Sequence, residues 1–392
     1  MALKGVEVAV VGAGVAGLAV ARALALRGAR VTVLEQADAI REVGAGLQIS
    51  PNGAAVLRAL GLGAGLEAAG MQAQAVDLID GPTGARVARL DLARLRPGQD
   101  YRLIHRADLI ALLAEGARDA GAEIVLLQQI ERVEIGGDRP HIVTTQGAEM
   151  RPELLIGADG LHSRVRAALN GSVAPFFTFQ IAWRATIPGD PADPAVVEVH
   201  MGPGRHLVSY PLRGGALRNI VAVEERRRWV EEGWSLRDDP MEMRLAFEGF
   251  ASRARGWLDA VPEVGLWGLF RHPVAPRWHA GGHAAILGDA AHPTLPFLAQ
   301  GANLALEDAW VLADQLDRTT NPAEGMASYQ AARMARVTRA VAAASGNARA
   351  YHLRAPWRGG AHLGLRALAA LAPGALVGRF DWLHGHDGTQ GE

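Results

Sequence analysis

Two side chains able to work on a proton share one short segment, His206-Leu207-Val208-Ser209-Tyr210. The segment reads as a strand, and on a strand residues i and i+4 point to one face, so His206 and Tyr210 can line one cavity. Histidine is the side chain best suited to proton transfer near neutral pH. The plainer reading, a strand histidine held only by a hydrogen bond, stays beside that one. Two aspartates end buried strands, in Leu154-Leu155-Ile156-Gly157-Ala158-Asp159 and in Ala284-Ala285-Ile286-Leu287-Gly288-Asp289. Further on, Gly301-Ala302-Asn303 opens a helix whose free N–H groups suit an electron-rich ring.

The elements that must position these groups begin at the amino terminus. Val6 to Val11 reads as a buried strand, Gly12-Ala13-Gly14-Val15-Ala16-Gly17 as a turn, and Leu18 to Arg27 as a helix. Gly28 ends that helix, and Val31 to Leu34 is a second strand closing on Glu35. A G-x-G-x-x-G run is weak alone and strong in this βαβ setting. Gly12 permits the tight turn, Gly14 admits a pyrophosphate to the backbone, and Gly17 lets the helix pack closely. The helix N-terminus then faces the phosphates, and Glu35 is placed to accept hydrogen bonds from a ribose.

Composition narrows the classes. A length of 392 residues suits two intertwined domains. A formal net charge of −1 argues against a nucleic-acid partner. Cysteine is absent, which removes disulfides, thiolate metal sites and thiol nucleophiles, and no metal site is expected. The first apolar run is already the nucleotide strand and none approaches a membrane span of ~20 residues, so the expected location is cytoplasmic.

Along the chain, Arg41 to Asn52 reads as a glycine-rich loop leading to a helix at Gly53–Leu60. Gly63 to Ala68 reads as a helix end and loop. Ala73 to Arg96 alternates around Gly81-Pro82-Thr83-Gly84, a hairpin signature. Strand candidates dominate from Gly171 to Arg271 (182–187, 196–200, 206–210 and 219–223), interrupted by a charged helical stretch at 226–249. The expected fold is α/β, with a Rossmann-like domain, an inserted, mostly antiparallel sheet, and C-terminal helices. Its division would be 1–72, 97–172 and 273–340 for the nucleotide domain, 73–96 and 173–272 for the substrate domain, and 341–392 for a helical tail. An apolar stripe at Leu363–Leu371 reads as packing or as a dimer face, leaving monomer and homodimer both open.

Over essentially its whole length the chain resembles the single-component FAD-dependent aromatic hydroxylases of the para-hydroxybenzoate hydroxylase superfamily. The nearest branch holds salicylate hydroxylase, 3-hydroxybenzoate 6-hydroxylase and 6-hydroxynicotinate 3-monooxygenase. The matching stretches are 43–48, His105-Arg106-Ala107-Asp108-Leu109, Gly157-Ala158-Asp159-Gly160, 210–215, Gly288-Asp289-Ala290-Ala291-His292-Pro293 and 380–387, the last with His where the family usually has Tyr. The resemblance implies non-covalent FAD, its adenine half on Gly12, Ala13, Gly14, Ala16 and Gly17 beside Glu35, Gln36 and Arg41. Arg106 would touch the extended chain and Asp159 the pyrophosphate region. Gly288 and Asp289 would hold ribitol, and Gly301, Ala302 and Asn303 the reduced ring's pyrimidine end. NADH or NADPH would dock transiently.

The implied reaction captures O2 as a flavin hydroperoxide that an aromatic acid attacks as a nucleophile. A phenolate is far more reactive than a phenol, so a base is needed, and His206 is the candidate with Tyr210 beside it. Gln48 would pass near the ring or the substrate. Pro296 and Phe297 would bound the substrate, and Pro296 departs from the polar residue of other branch members. Arg184 reads equally as an acid-orienting group or a solvated strand residue. Salicylate hydroxylation is the leading expectation. Hydroxylation of 3-hydroxybenzoate or 6-hydroxynicotinate is the alternative, and a FAD oxidase or reductase the reading from another class.

Overall fold

Around the Gly12–Gly17 turn, parallel strands stack side by side in this computed structural model, which describes residues 2–40, 46–226 and 236–390. Glu7–Val11 lies between Arg30–Leu34 and Leu154–Gly157, with Val10 opposite Val33 and Ile156. Ala284–Ile286 and Glu123–Val125 extend this parallel sheet on its two sides, and the antiparallel His279–Ala280 closes one edge. Strands covered on both faces read as unbroken apolar runs, which is why the sequence shows no alternation here. Val10, Leu155, Ile156, Ala285 and Ile286 are fully buried. Each buried Val, Leu or Ile among them contributes roughly 1.5–3 kcal/mol. The helices Val15–Ala25 and Gly301–Asp317 pack on each other beside the sheet.

A second sheet holds eight strands in the order Arg237–Asp238, Val264–Arg271, Phe176–Pro188, Leu217–Glu225, Arg205–Leu212, Val196–Gly202, Ala75–Asp80 and Arg86–Asp91. All neighbours are antiparallel except Val196–Gly202 with Ala75–Asp80, so the early hairpin joins a sheet built mostly from later sequence. The two faces have different partners. Trp183, Leu207, Ile220 and Ala222 pack with Met243, Phe247, Ala254 and Leu258 from helices Pro240–Ala246 and Ser252–Asp259. The opposite face carries His206, Val208, Tyr210, Val221, Val223, Val197 and Val199 toward the nucleotide-type sheet. The same outer face as Trp183 carries a buried Glu198 bonded to His200 (3.1 Å) and Arg253 (2.7 Å).

Three local expectations change. Gly63–Ala69 is a helix, because Leu66 is buried and Gly65 sits against the end of the Leu112 side chain, where a Cβ would meet it at 2.3 Å. The charged stretch 226–249 is helical among the described residues only from Pro240, where the Asp239 carboxylate accepts the Met241 N–H at 2.8 Å; residues 227–235 lie outside the description. The helix Pro322–Tyr351 runs unbroken through 340–341, where the sequence reading divides the chain. Among the described residues no helix is long and apolar enough to cross a membrane. Helix Trp357–Leu371 turns Leu365 and Leu368 onto the core, while Leu363 and Leu371 are exposed.

Candidate active site and cofactor cradle

Between the two sheets runs a continuous cavity of about 1060 Å³. One end is lined by Gly14, Val15, Ala16, Gln36, Arg106 and Asp159, the middle by Gln48, Asp289, Gly301 and Ala302. The large sheet supplies its far wall through Arg184, His206, Tyr210 and Trp267, and Pro296 and Phe297 close it from the helix side. Strand periodicity explains the wall. His206, Val208 and Tyr210 face the cavity and pair with Val223, Val221 and Asn219, while the residues between them face the other way.

The cradle fits a dinucleotide. Gly12 has φ +99°, and a Cβ there would meet the Ala158 carbonyl oxygen at 2.5 Å. A Cβ on Gly17 would overlap the Gly12 carbonyl oxygen, whereas a Cβ on Gly14 meets no protein atom within 4 Å and would occupy only cavity space. Two helix starts at the cavity, at Val15 and at Gly301, have no side-chain cap and no acidic residue in the first turn. Their N–H groups and positive dipole ends are therefore directed to an anionic guest. By contrast, the helix Arg164–Asn170 is saturated by protein: Asp159 accepts from Ser163 Oγ (2.5 Å), Arg164 N (2.7 Å) and Val165 N (3.3 Å). Asp159 thus borders the cavity with its carboxylate already engaged, and burial raises it against those bonds. Asp289 opens onto the cavity, with protein packed around its carboxyl on the other sides. That desolvation raises its carboxyl, with His292 and Arg106 opposing.

Other expected contacts sit differently. Glu35 spends its oxygens on the Ala13 N–H (2.7 Å) and the Ala37 N–H (2.9 Å), tying the second strand to the glycine turn. Asn303 is buried behind the cavity. It accepts from Ser50 N (3.0 Å) and donates to the carbonyls of Gln48 (3.0 Å) and Ala299 (2.7 Å), so it fixes the loop that carries Gln48. Gly288, at φ +59°, is packed against Ala16 and Ala305. Arg41 lies outside the described residues. His105 accepts the Ala107 N–H at 3.3 Å as the cap of the Arg106–Asp119 helix, and His292 contacts Asp308.

The tertiary structure adds residues the sequence did not single out. Tyr101 donates to Gln48 Oε1 at 2.8 Å and stacks edge-on with His384, whose imidazole burial lowers to about 4 despite Asp381. The Arg184 guanidinium lies 5.1 Å over the Trp267 ring. Burial keeps the Tyr210 hydroxyl protonated, with the Arg184 charge opposing. His206 is 2% exposed, and burial, aided by His352, holds its imidazole well below the ordinary range. Nothing in a linear reading marks Tyr101, Trp267 or His352, because Tyr101 and Trp267 reach the cavity, and His352 reaches His206 behind its wall, from distant segments.

Under the start of helix Gly301–Asp317 lies a charge cluster whose Arg333, Glu307 and Asp308 are fully buried. Arg333 binds Asp308 (2.8 Å) and Glu307 (2.5 Å), and Arg336 and Asn52 bind Glu307 as well (2.7 and 2.6 Å). Burial acts to raise Asp308, yet His292 and Arg333 bring it down to about 2. The cluster fixes the helix whose first turn lines the cavity.

Comparison with known proteins agrees with this geometry. Residues 5–344 match the family model described as FAD binding domain. The 3-amino-4-hydroxybenzoate 2-monooxygenase of Streptomyces cremeus is 37% identical over 359 residues, covering 89% of each chain. The 3-hydroxybenzoate 6-hydroxylase 1 of Aquipseudomonas alcaligenes is 34% identical, covering 85% of this chain and 86% of that one. A salicylate hydroxylase substrate complex superposes with a TM-score of 0.81 over 98% of this chain and 96% of that chain, at 23% identity, a likeness of fold. A glycine cradle, two uncapped helix starts and relatives matched along most of their length lead to one conclusion: the chain belongs to the FAD-binding-domain family, among its FAD-dependent aromatic hydroxylases.

Proposed function

We propose that the protein hydroxylates the ring of a small phenolic acid, with NADH or NADPH as a transient hydride donor and O2 as the oxygen source. One observation carries the reading: a buried imidazole, a buried phenol and a guanidinium share one face of the large sheet above apolar walls. Arg184 receives the carboxylate, and Val197, Val199, Val208 and Val221, side by side on one sheet face, form an apolar wall for the ring. Tyr210, kept protonated, donates a hydrogen bond to the bound acid. His206 is neutral at pH 7 and takes the phenolic proton, which makes the ring a better nucleophile. Bound FAD supplies the oxygen-activating chemistry. The glycine turn and the N-terminus of Val15–Ala25 would hold its pyrophosphate, Arg106 its extended chain, Asp289 its ribitol, and the start of Gly301–Asp317 its pyrimidine edge.

The relatives act on an aminohydroxybenzoate and a hydroxybenzoate. Ring hydroxylation with the carboxyl retained fits them as well as or better than the decarboxylating salicylate reaction. The test is NADH consumption by the FAD-loaded protein with 3-amino-4-hydroxybenzoate, 3-hydroxybenzoate and salicylate under labelled O2. A stimulating acid should return as a hydroxylated product carrying one labelled atom. Stimulation with no label in any product would overturn the reading in favour of an oxidase. His206→Ala should keep FAD and NADH consumption while losing most of the hydroxylated product.

A further inference from the structure

Behind His206 the cavity wall leads outward through polar groups. His206 Nδ1 lies 2.7 Å from Nε2 of His352, the residue capping helix Pro322–Tyr351. His352 Nδ1 lies 2.9 Å from Oε1 of Glu225, at the end of strand Leu217–Glu225. The His352 side chain is 2% exposed and the Glu225 side chain 41%, so three groups in line join the cavity to solvent. Their hydrogen bonds also have a direction. A carboxylate only accepts, so His352 donates from Nδ1 and its Nε2 carries the lone pair. That lone pair accepts from His206 Nδ1–H, which leaves the lone pair of His206 on Nε2, the ring nitrogen free to meet a ligand in the cavity.

We propose that His206, His352 and Glu225 form a proton wire carrying the substrate's hydroxyl proton to solvent, with Glu225 setting the tautomer that makes His206 a base toward the cavity. The proposal rests on the phenolic-acid reading above. The substrate O–H bond breaks, its electron pair stays on oxygen, and the proton forms an N–H bond at His206 Nε2. His206 passes its Nδ1 proton to Nε2 of His352, His352 passes its Nδ1 proton to Glu225 Oε1, and Glu225 gives it to water. No electrons change hands. Both rings are left in the opposite tautomer, and the starting state returns when the product oxygen takes a proton back along the same line. His352 and Glu225 are positioning residues in this scheme, acting through His206.

The surroundings make onward transfer necessary. Burial disfavours a proton resting on His206, with Phe297 and Tyr351 flanking its ring at 5.3 Å each. His352 is also lowered, chiefly by burial, with Glu225 opposing and Arg354 and Arg205 adding to it. Arg354 pairs with the other Glu225 oxygen at 3.2 Å and holds the carboxylate in place. Protons therefore do not accumulate on either ring and move to the half-exposed end.

The test uses FAD-loaded oxidised protein saturated with 3-hydroxy-4-nitrobenzoate, whose phenolate is coloured, without any hydride donor. After a rapid jump from pH 5.5 to 8, the absorbance of the bound probe reports how fast its proton leaves. Glu225→Gln and His352→Gln should slow that rate at least tenfold while FAD remains bound, and added imidazole should restore it in His352→Gly. Glu225 is half exposed, so Glu225→Gln keeps the test decisive if His352 variants fail to fold. Unchanged rates in Glu225→Gln, or no imidazole rescue in a folded His352→Gly, would overturn the wire while hydroxylation by the unaltered enzyme stands. If no phenolic acid binds the unaltered protein, the functional reading falls and the wire falls with it.

Discussion

Replacing Arg333 by Met isolates the value of the buried cluster beneath the cavity. The guanidinium is 1% exposed and bridges two carboxylates whose side chains are 0% exposed. Its loss removes the bonds to Asp308 Oδ1 (2.8 Å), to Glu307 Oε2 (2.5 Å) and to the Leu304 carbonyl (3.4 Å). Glu307 keeps Arg336 and Asn52, whereas among the described residues Asp308 keeps His292 and the Gly288 N–H (3.0 Å). Breaking a buried pair from one side costs roughly 3–5 kcal/mol. Because Glu307 remains paired, the expected cost is the lower end, about 3 kcal/mol. For a chain of this length unfolding as one unit, that is a fall of roughly 4 °C in Tm. Thermal melts followed by circular dichroism at pH 7, with flavin fluorescence in parallel, measure it. Adding Asp308→Asn removes the orphaned charge and should recover part of the loss. A drop below about 1 °C in the single variant, or a further fall in the double, would refute the reasoning.

Other perturbations separate binding, cradle and stability. Arg184→Met should weaken aromatic-acid binding ~10- to 150-fold, the worth of one charge-assisted contact of ~1.5–3 kcal/mol, with FAD content unchanged; ligand titration by flavin fluorescence checks it. Gly17→Ala forces a Cβ into the Gly12 carbonyl, so the purified protein should be colourless and fail to take up FAD, as equilibrium dialysis would show. Burial acts to raise Glu198, but His200 and Arg253 bring it from 4.5 down to about 2. A depressed carboxyl stabilises fully above about pH 4.5, and its contribution, up to roughly 3 kcal/mol, is lost as pH falls toward 2. Melting the native protein and Glu198→Gln from pH 2 to 6 should show the difference shrinking on acidification.

How much was legible follows the range of each interaction. The βαβ unit is local: strand, glycine turn and helix are dictated within thirty residues, and the structure has them at Glu7–Val11, Val15–Ala25 and Arg30–Leu34. The shared face of His206 and Tyr210 was equally readable, since strand alternation fixes it without any partner. The Gly63–Ala69 helix was missed because its glycines argue against a helix locally, and packing against Leu112 outweighs that propensity.

Sequence alone thus determined the kind of cofactor cradle, the succession of strands and the sheet face on which His206 stands. Tertiary structure alone decided what that histidine is joined to, since His352 lies 146 residues from His206 and Glu225 127 residues from His352. It likewise decided that Glu35 uses its oxygens on backbone N–H groups and Asp159 on backbone N–H groups and the Ser163 hydroxyl, and that Arg333 meets Glu307 and Asp308 in the dry interior. The physical reason is the same in each case. Backbone periodicity and turn chemistry act over a few neighbours and are written into residue order, whereas a buried polar group takes whichever partner the packed sheets and helices bring within hydrogen-bond reach.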